Sequence, residues 1–542
     1  MKTKSPKFIF ALLTGIASAT AFAHSDDAKP GGEKFGRVLF KTSCTPEAQK
    51  QFERALAMLH SFFFPETVKA FTAIPETDPS CAIAYWGIAI SQRPNPLVGP
   101  FDAATLKRGL DAIEKGEAIG AKTQHERDWL AALKEYYKNY DTVDQDTRTH
   151  NYEKAMEALA KKYPNDVEAK IFWALSLNEI FDHRSMEPPL KAVRILEPID
   201  KKYPDHPGVT HYLIHSYDFA PIAKQGIPAA NKYGKIAPSS PHAVHMPSHI
   251  YSMVGMWEPS IRSNQRAAAI AQEFVNKNYP GAVYHAVLHS NDFMQYAYLQ
   301  LGQDREAAKL VDNANAVIKA KPKVVGVPIA AYTAMAAIPA RYVLERQDWL
   351  AAAALEPPAG PFPQAEALTY FARALGAARS GDPAAAQQEI DKLKEQRAAL
   401  EKANQSYWAG QVEVQILAAQ GWLAQSQGNK GEALKFMRAA ADLEDGSEKH
   451  VAMENRLYPM RELLGDMLME QQSPALALQD YEASMKAAPN RLRGFYGAAK
   501  AAEASGNKQK AAGYFSKLAQ LTRNSDGERA EIRESRQRVA SR

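Results

Sequence analysis

Residues 464–489 read LGDMLMEQQSPALALQDYEASMKAAP, and this stretch decides the fold of the 542-residue chain. A Leu-Gly pair opens it, Ala477 follows the glycine after 12 residues, Tyr481 comes four residues later, and a proline closes the stretch. The alanine and the aromatic recur 34 residues further on, as Ala511 and Phe515. Small residues let two helices approach closely, and the proline ends the second helix because it has no N–H to donate. The pattern predicts a repeating helix pair.

The rest of the chain has the same texture. Segments rich in Ala, Leu, Gln, Glu and Lys alternate with short Gly, Pro, Asn or Asp breaks, and strand signals are nearly absent. The end of the template recurs at Ala192, Leu196 and Pro204 and at Thr67, Phe71 and Pro79. This spacing is that of the tetratricopeptide repeat. We therefore predict an all-α tetratricopeptide-repeat superhelix, an α-solenoid of antiparallel helix pairs.

Two interruptions divide the predicted array. The Pro-rich segment EPPAGPFP at 356–363 predicts a boundary between an N-terminal array over residues 36–355 and a C-terminal array over residues 364–535. Extra sequence between Ala440 and Leu457 breaks the repeat inside the second array.

The first residues predict a cleavable signal peptide over residues 1–23. Three lysines between Lys2 and Lys7 precede an apolar stretch, and a small-x-small cleavage pattern ends at Ala23. The mature chain would begin near His24, in the periplasm or outside the cell. No later segment is long and apolar enough to span a membrane.

The charge of the chain argues against a nucleic-acid partner. Removal of the predicted signal peptide takes away three lysines and no acids, so the formal net charge of +5 falls to +2. No basic face is concentrated along the remaining sequence, and we predict no nucleic-acid binding.

The two cysteines, Cys44 and Cys81, predict a disulfide, because an isolated pair in an oxidising compartment is commonly bridged. A pair of buried thiols is the alternative. The sequence has no Cys-x-x-Cys, so oxidoreductase chemistry is not indicated.

Half of the 14 histidines lie in one 79-residue stretch, between His211 and His289. HYLIHSYDF at 211–219 and HAVLHSNDF at 285–293 share the pattern His-x₃-His-x₂-Asp-Phe, and HAVHMPSHIY at 242–251 lies between them. Residues four apart on a helix share a face, so each pattern places two imidazoles together.

The repeat register places these pairs on one wall. In tetratricopeptide arrays the first helix of each repeat lines the concave groove. His211 and His245 are 34 residues apart, as are His215 and His249, so two successive repeats present a histidine pair at equivalent positions.

The register of the third repeat is ambiguous. Counting back from Ala307 places His289 and Asp292 on the groove face, with His285 one turn earlier. Counting on from Pro280 gives a different phase.

A shared histidine wall suits a metal ion, because neutral imidazole is the commonest side-chain metal ligand and a nearby Asp can ligate or orient a ring. The predicted metal-ligand set is His211, His215, Asp218, His242, His245, His249, His285, His289 and Asp292. The ion would be a divalent transition metal, Zn, Cu, Ni or Fe. An anionic ligand, or a polar network that only shapes the array, is the alternative.

No catalytic motif accompanies the histidines. The residues after the first histidine of each pair are Tyr212, Met246 and Ala286, where a zinc protease needs Glu. No Gly-x-Ser-x-Gly elbow or phosphate-binding loop occurs. We predict an exported, non-enzymatic scaffold that holds a protein, peptide or small ligand in its groove. A periplasmic metal-binding protein is the alternative. A metal-dependent hydrolase is a further alternative, for which the sequence offers no residue as the general base.

Two segments carry a family resemblance. The first is CTPEAQKQFERALAMLHSFFFPETVKAFTAIPETDPSCAIAYWGIAI at 44–90. The second comprises HYLIHSYD at 211–218 and HAVHMPSHIYSMVGMWEPSIRSNQRAA at 242–268. They resemble a group of bacterial secreted tetratricopeptide-repeat proteins, over roughly residues 36–345. The resemblance implies the fold and export, and it implies no particular ligand.

Overall fold

The computed structural model describes residues 32–64, 66–453, 456–526 and 529–541. The predicted signal peptide over residues 1–23 and the predicted mature terminus at His24 lie outside the described residues.

Helices dominate the described chain, and we number them in chain order. The α-helices are α1 Pro46–His60, α2 Glu66–Thr77, α3 Ala84–Ile90, α4 Ala103–Ile119, α5 Gln124–Tyr137, α6 Gln145–Lys162, α7 Val167–Glu179, α8 Glu187–Lys202, α9 Pro207–Tyr217, α10 Ile227–Ile236, α11 Pro241–His245, α12 Pro247–Met253, α13 Trp257–Asn278, α14 His285–Gln300, α15 Asp304–Ala320, α16 Pro328–Glu345, α17 Trp349–Ala353, α18 Pro363–Ser380, α19 Pro383–Lys402, α20 Ser406–Ser426, α21 Lys430–Asp445, α22 Met460–Glu470, α23 Pro474–Ala487, α24 Leu492–Ala504, α25 Lys508–Leu521 and α26 Ala530–Ala540. A 3₁₀ helix spans Ala223–Gly226, and strands β1 Val283–Tyr284 and β2 Val324–Val325 form a parallel pair.

Consecutive helices pack as antiparallel pairs, and the first helix of one pair packs on the first helix of the next. The stretch that decided the fold shows why. A Cβ added at Gly465 on α22 would lie 2.8 Å from the ring of Tyr481 on α23, and one at Gly497 on α24 would lie 2.3 Å from the same ring. Only glycine lets the three helices close around this tyrosine. The predicted all-α tetratricopeptide-type solenoid is confirmed.

The stack continues across the Pro-rich segment 356–363, because α16 packs on α18. The C-terminal helices also fold back on the N-terminal ones. Arg491 is fully buried and pairs with Glu345 at 2.7 Å and with Glu462 at 2.7 Å. The described residues from Lys34 onward accordingly form one compact unit, and the division into arrays at 356–363 stays a prediction.

The predicted disulfide is confirmed. Cys44 and Cys81 are bonded, with an S–S distance of 2.00 Å, and they join the start of α1 to the start of α3. Among the described residues, no helix is long and apolar enough to cross a bilayer.

Candidate metal centre

Four neighbouring helices carry the predicted histidines to one place. His211 and His215 lie on α9, and α9 contacts α12, which carries His249. Helices α11 and α12 both contact α14, which begins at His285. The 34-residue repeat therefore aligns these helices side by side.

The first cluster consists of His211, His215 and His242. Nε2 of His211 lies 3.0 Å from Nε2 of His242 and 3.1 Å from Nε2 of His215. Each residue offers a ligand nitrogen within 4.8 Å of the other two. The cluster joins two successive repeats, since His242 comes from α11.

The second cluster consists of His245, His249 and His289. Nε2 of His245 lies 3.0 Å from Nε2 of His249, and a ring nitrogen of His289 lies within 4.8 Å of both ligand atoms. The two clusters are adjacent, because the ring centroids of His215 and His249 are 6.0 Å apart.

Neighbouring side chains set the tautomers of two of the three rings in the second cluster, those of His245 and His249. Nδ1 of His245 lies 2.6 Å from Oδ1 of Asn264, whose amide nitrogen donates to the Ser260 carbonyl at 2.9 Å. Nδ1 of His249 lies 2.7 Å from Oδ2 of Asp218. Both acceptors require a proton on Nδ1, so in the neutral rings both Nε2 atoms carry lone pairs. Two lone pairs therefore face each other across 3.0 Å.

One ring of the first cluster is held in the same way. Nδ1 of His211 donates to the backbone carbonyl of His60 at 2.6 Å, which leaves a lone pair on its Nε2. Nδ1 of His215 is buried and has no hydrogen-bond partner among the described residues. Histidines that ligate a metal in general donate the N–H of their other ring nitrogen to a carboxylate, a carbonyl or water. Three of the six rings, those of His211, His245 and His249, already donate in this way.

Burial keeps the rings neutral. His211, His215, His245, His249 and His289 are at most 8% exposed. Loss of hydration lowers the pKa of His245 to about 4 and lowers the pKa of the other four well below the usual histidine value. Neutral imidazole is the form that binds a metal ion.

Phe62 covers the first cluster in an unfavourable backbone conformation. It follows α1 with a φ of 47°, and its N–H and that of Phe63 donate to the carbonyls of Leu59 and Met58. This is a helix-ending motif in which glycine is usual, because a side chain clashes there. The ring of Phe62 lies 4.5 Å from that of His211 and 5.5 Å from that of His242.

Three of the predicted ligands lie outside the two clusters. Asp218 contacts His249 and accepts a hydrogen bond from Lys449 Nζ at 2.7 Å, so it orients a ring instead of joining the ligand set. Asp292 is buried and pairs with Arg341. His285 packs against the β2 region, where a Cβ added at Gly326 would lie 2.1 Å from its Nδ1.

The structure buries these histidines, which the repeat register predicts on the wall of the concave groove. Residues 446–453, the covering segment, follow α21 and reach the same region: Glu448 N–H donates to the His183 carbonyl at 2.7 Å, and Lys449 Nζ donates to Asp218. A protein or peptide partner in the groove stays a prediction. The covering segment belongs to the extra sequence between Ala440 and Leu457, so the break in the repeat was the signal that could have located it.

Two further groups of metal-type residues are already satisfied. Glu168 accepts from Nε2 of His60 at 2.9 Å and from Nε2 of His206 at 3.0 Å, while Leu39 N–H donates to the same carboxylate. Nδ1 of His60 forms a hydrogen bond with the hydroxyl of Tyr212, and Nδ1 of His206 accepts one from the backbone N–H of Val209. The members of this network follow no repeat spacing, so the repeat pattern does not predict it. All four ring nitrogens of His60 and His206 are engaged in hydrogen bonds, which leaves none of them free to ligate an ion. The other group is the disulfide beside Asp78.

No family model matches this chain, and no curated protein is similar to it. Several solved structures are similar over most of their length. They include the human IFIT1 dimer with m7Gppp-AAAA (9% identity, 89% of this chain and 96% of that chain, TM-score 0.36) and yeast Tom70 (11% identity, 91% and 96%, TM-score 0.30). Since both TM-scores are below 0.5, the fold assignment rests on the helix packing described above.

Proposed function

We propose that this protein binds transition-metal ions, one at each of the two three-histidine clusters. The observation that carries the proposal is the pair His245 and His249, whose Nε2 lone pairs face each other at 3.0 Å while both Nδ1 atoms act as donors. No proton lies between these two atoms in the neutral rings, and burial opposes adding one. A cation shared by the two lone pairs removes the repulsion.

The spacing of the nitrogens fits such an ion. Two nitrogens bound to one tetrahedral ion, with bonds near 2.0–2.1 Å, lie about 3.3 Å apart, and two bound at right angles lie about 2.9 Å apart. The observed Nε2–Nε2 distances of 3.0 and 3.1 Å fall between these values.

The donor set favours some metals over others. Imidazole suits Zn, Cu, Ni and Fe, whereas Mg and Ca prefer carboxylate and carbonyl oxygens. Three imidazoles also leave coordination positions open on each ion, as in catalytic zinc sites. The disulfide between Cys44 and Cys81 supports our further proposal that the chain acts in the periplasm or outside the cell, because disulfides persist in oxidising compartments.

Elemental analysis tests the proposal. Protein purified without a histidine tag, stripped with chelator and re-equilibrated with Zn²⁺, Cu²⁺, Ni²⁺ or Fe²⁺ should retain close to two ions of at least one metal per chain. The double variant His245→Ala, His249→Ala should retain one, and so should His211→Ala, His215→Ala.

The matched control is His150→Ala, which removes a half-exposed histidine on α6. It should bind as much metal as the wild type. Metal contents near zero in the wild type, or equal contents in the wild type and both double variants, would refute the proposal.

A further inference from the structure

The two three-histidine clusters form one cage of six imidazoles. Within the first cluster the ring centroids are 4.8, 4.9 and 6.4 Å apart, and within the second they are 5.0, 4.6 and 5.9 Å apart. Between the clusters, the ring centroids of His215 and His249 are 6.0 Å apart, and those of His242 and His245 are 6.1 Å apart. The distance between the clusters is therefore within the range of distances inside one cluster, and two bound ions would share one centre.

The three rings of each cluster surround a point that suits an ion. The point equidistant from the three ring centroids lies about 3.2 Å from each in the first cluster and about 3.0 Å in the second, and an ion bound to Nε2 lies about 3.2 Å from the centroid of its ring. Each ion would therefore lie in the plane of its three ring centroids, with one open side toward the other cluster. Because the contacts between the clusters measure 6.0 and 6.1 Å, the two ions would be about 6 Å apart.

The gap between the two ions suits a ligand of two atoms. An ion that takes a fourth ligand becomes tetrahedral and moves about 0.7 Å out of the plane of its three nitrogens toward that ligand. Two such movements leave about 4.6 Å between the ions. A single bridging oxygen atom spans at most about 4.1 Å, which is twice the bond length, whereas two bonded oxygen atoms with one on each ion span about 4.6 Å.

The charges around the cage favour copper in its Cu⁺ state. Imidazoles that ligate a metal are neutral. The carboxylate of Asp218 pairs with the ammonium of Lys449 at 2.7 Å, and that of Asp292 pairs with the guanidinium of Arg341. Two Zn²⁺ ions would bury four positive charges here and two Cu⁺ ions only two, which lowers the cost of burial. Among divalent ions Cu²⁺ binds nitrogen ligands most tightly, so the same imidazoles also hold the oxidised metal.

A cavity of 180 Å³ leads to the cage. His215 forms part of its wall, together with Phe181, Phe219 and Val451. The volume equals the share of about six water molecules in the liquid, which exceeds the size of a diatomic molecule. Its apolar side chains suit a small uncharged molecule.

We propose that the six histidines hold a pair of Cu⁺ ions that binds dioxygen between them, an inference that rests on the proposed metal sites. On binding, each Cu⁺ gives up one electron and becomes Cu²⁺. The O₂ molecule accepts both electrons and becomes a peroxide, with its O–O bond intact and one oxygen bonded to each ion. No proton moves and no other reductant is needed. The two ions and their ligand carry the same total charge before and after, so no further charge is buried.

Oxygen uptake and EPR spectroscopy of the copper-loaded wild type test the proposal. Protein loaded with Cu⁺ under argon, with two ions per chain by elemental analysis, should take up one O₂ for every two copper ions at an oxygen electrode. X-ray absorption should then show Cu²⁺. The Cu²⁺ EPR signal should nevertheless be absent, because a bridging peroxide couples the two electron spins.

The variant His245→Ala, His249→Ala keeps only the first cluster. It should bind one copper ion, and its Cu²⁺ form should give the full EPR signal. His150→Ala, which removes the half-exposed histidine on α6, should behave as the wild type does.

The outcomes separate this inference from the metal sites. Two bound copper ions without oxygen uptake, or with the EPR signal of two uncoupled Cu²⁺ ions, would overturn the dioxygen proposal and leave the metal proposal intact. Retention of Zn²⁺, Ni²⁺ or Fe²⁺ but not of copper would do the same. Absence of every one of these metals would instead refute the metal sites themselves.

Discussion

At the scale of single residues, the candidate centre depends on side chains that fix a proton rather than touch an ion. Asn264 is one of them, because its amide oxygen holds the Nδ1 proton of His245 and so leaves Nε2 free. Such outer partners are worth about 10–100-fold in metal affinity. Asn264→Ala should therefore weaken one of the two metal-binding events by about this factor and leave the other unchanged, in a competitive titration with a chromophoric chelator.

The control for this prediction lies on the same helix. Asn276 is exposed on α13, and Asn276→Ala should leave both affinities unchanged. Wild-type affinity at both sites in Asn264→Ala would show that the hydrogen bond to His245 has no role in binding.

At Phe62 the packing of a buried ring opposes backbone strain, because this bulky residue has a φ of 47°. Loss of its buried ring should destabilise the protein by about 3–5 kcal/mol. Glycine avoids the left-handed strain that alanine keeps, and that strain is worth about 1–2 kcal/mol. We expect Phe62→Gly to be less stable than the wild type but more stable than Phe62→Ala, in denaturant unfolding of the metal-free protein.

Should Phe62→Gly equal or exceed the wild type in stability, the ring would contribute nothing through its contacts with His211 and His242. Should the glycine and alanine variants unfold together, the backbone strain would be negligible.

At the scale of elements, a buried carboxyl links α21 to α22. Oε2 of Glu444 accepts a hydrogen bond from the N–H of Met460, the first residue of α22, at 2.8 Å. Burial raises the pKa of Glu444 to about 6. The folded state thus holds this proton more tightly than the unfolded state does, so the stability from this group is present below about pH 4.5 and is lost as the pH rises through 6.

We expect Glu444→Gln to remove this loss. The shift in the pKa of Glu444 corresponds to about 2 kcal/mol. As the pH rises from 4.5 to 7.5, the unfolding free energy of the wild type should therefore fall by about this amount relative to that of Glu444→Gln. The control is Glu432→Gln, an exposed acid on the same helix. A gap that does not change with pH would contradict the raised pKa.

At the scale of the whole molecule, the sequence predicts the features that recur with the repeat but not the contacts between distant parts of the chain. The 34-residue period identifies the solenoid and brings His211 into line with His245 and His215 with His249. The contact between Lys449 and Asp218 spans 231 residues and joins different turns of the stack, so no local pattern contains it. Contacts of this kind bury the histidines, which the repeat register alone places only on a shared wall.

The same long-range closure predicts how the molecule responds to metal. The ligands come from α9, α11, α12 and α14, and Asp218, which orients His249, is held by Lys449 from the far part of the chain. An ion that binds only this folded arrangement stabilises it by about 2.7 kcal/mol when its free concentration is 100 times the dissociation constant.

Chelator should therefore lower the thermal unfolding midpoint of the wild type, and adding the metal back should restore it. The double variant His245→Ala, His249→Ala should lose part of this response, while His150→Ala should keep all of it. A midpoint that stays the same when elemental analysis shows the metal removed would mean that the ions bind outside the folded centre.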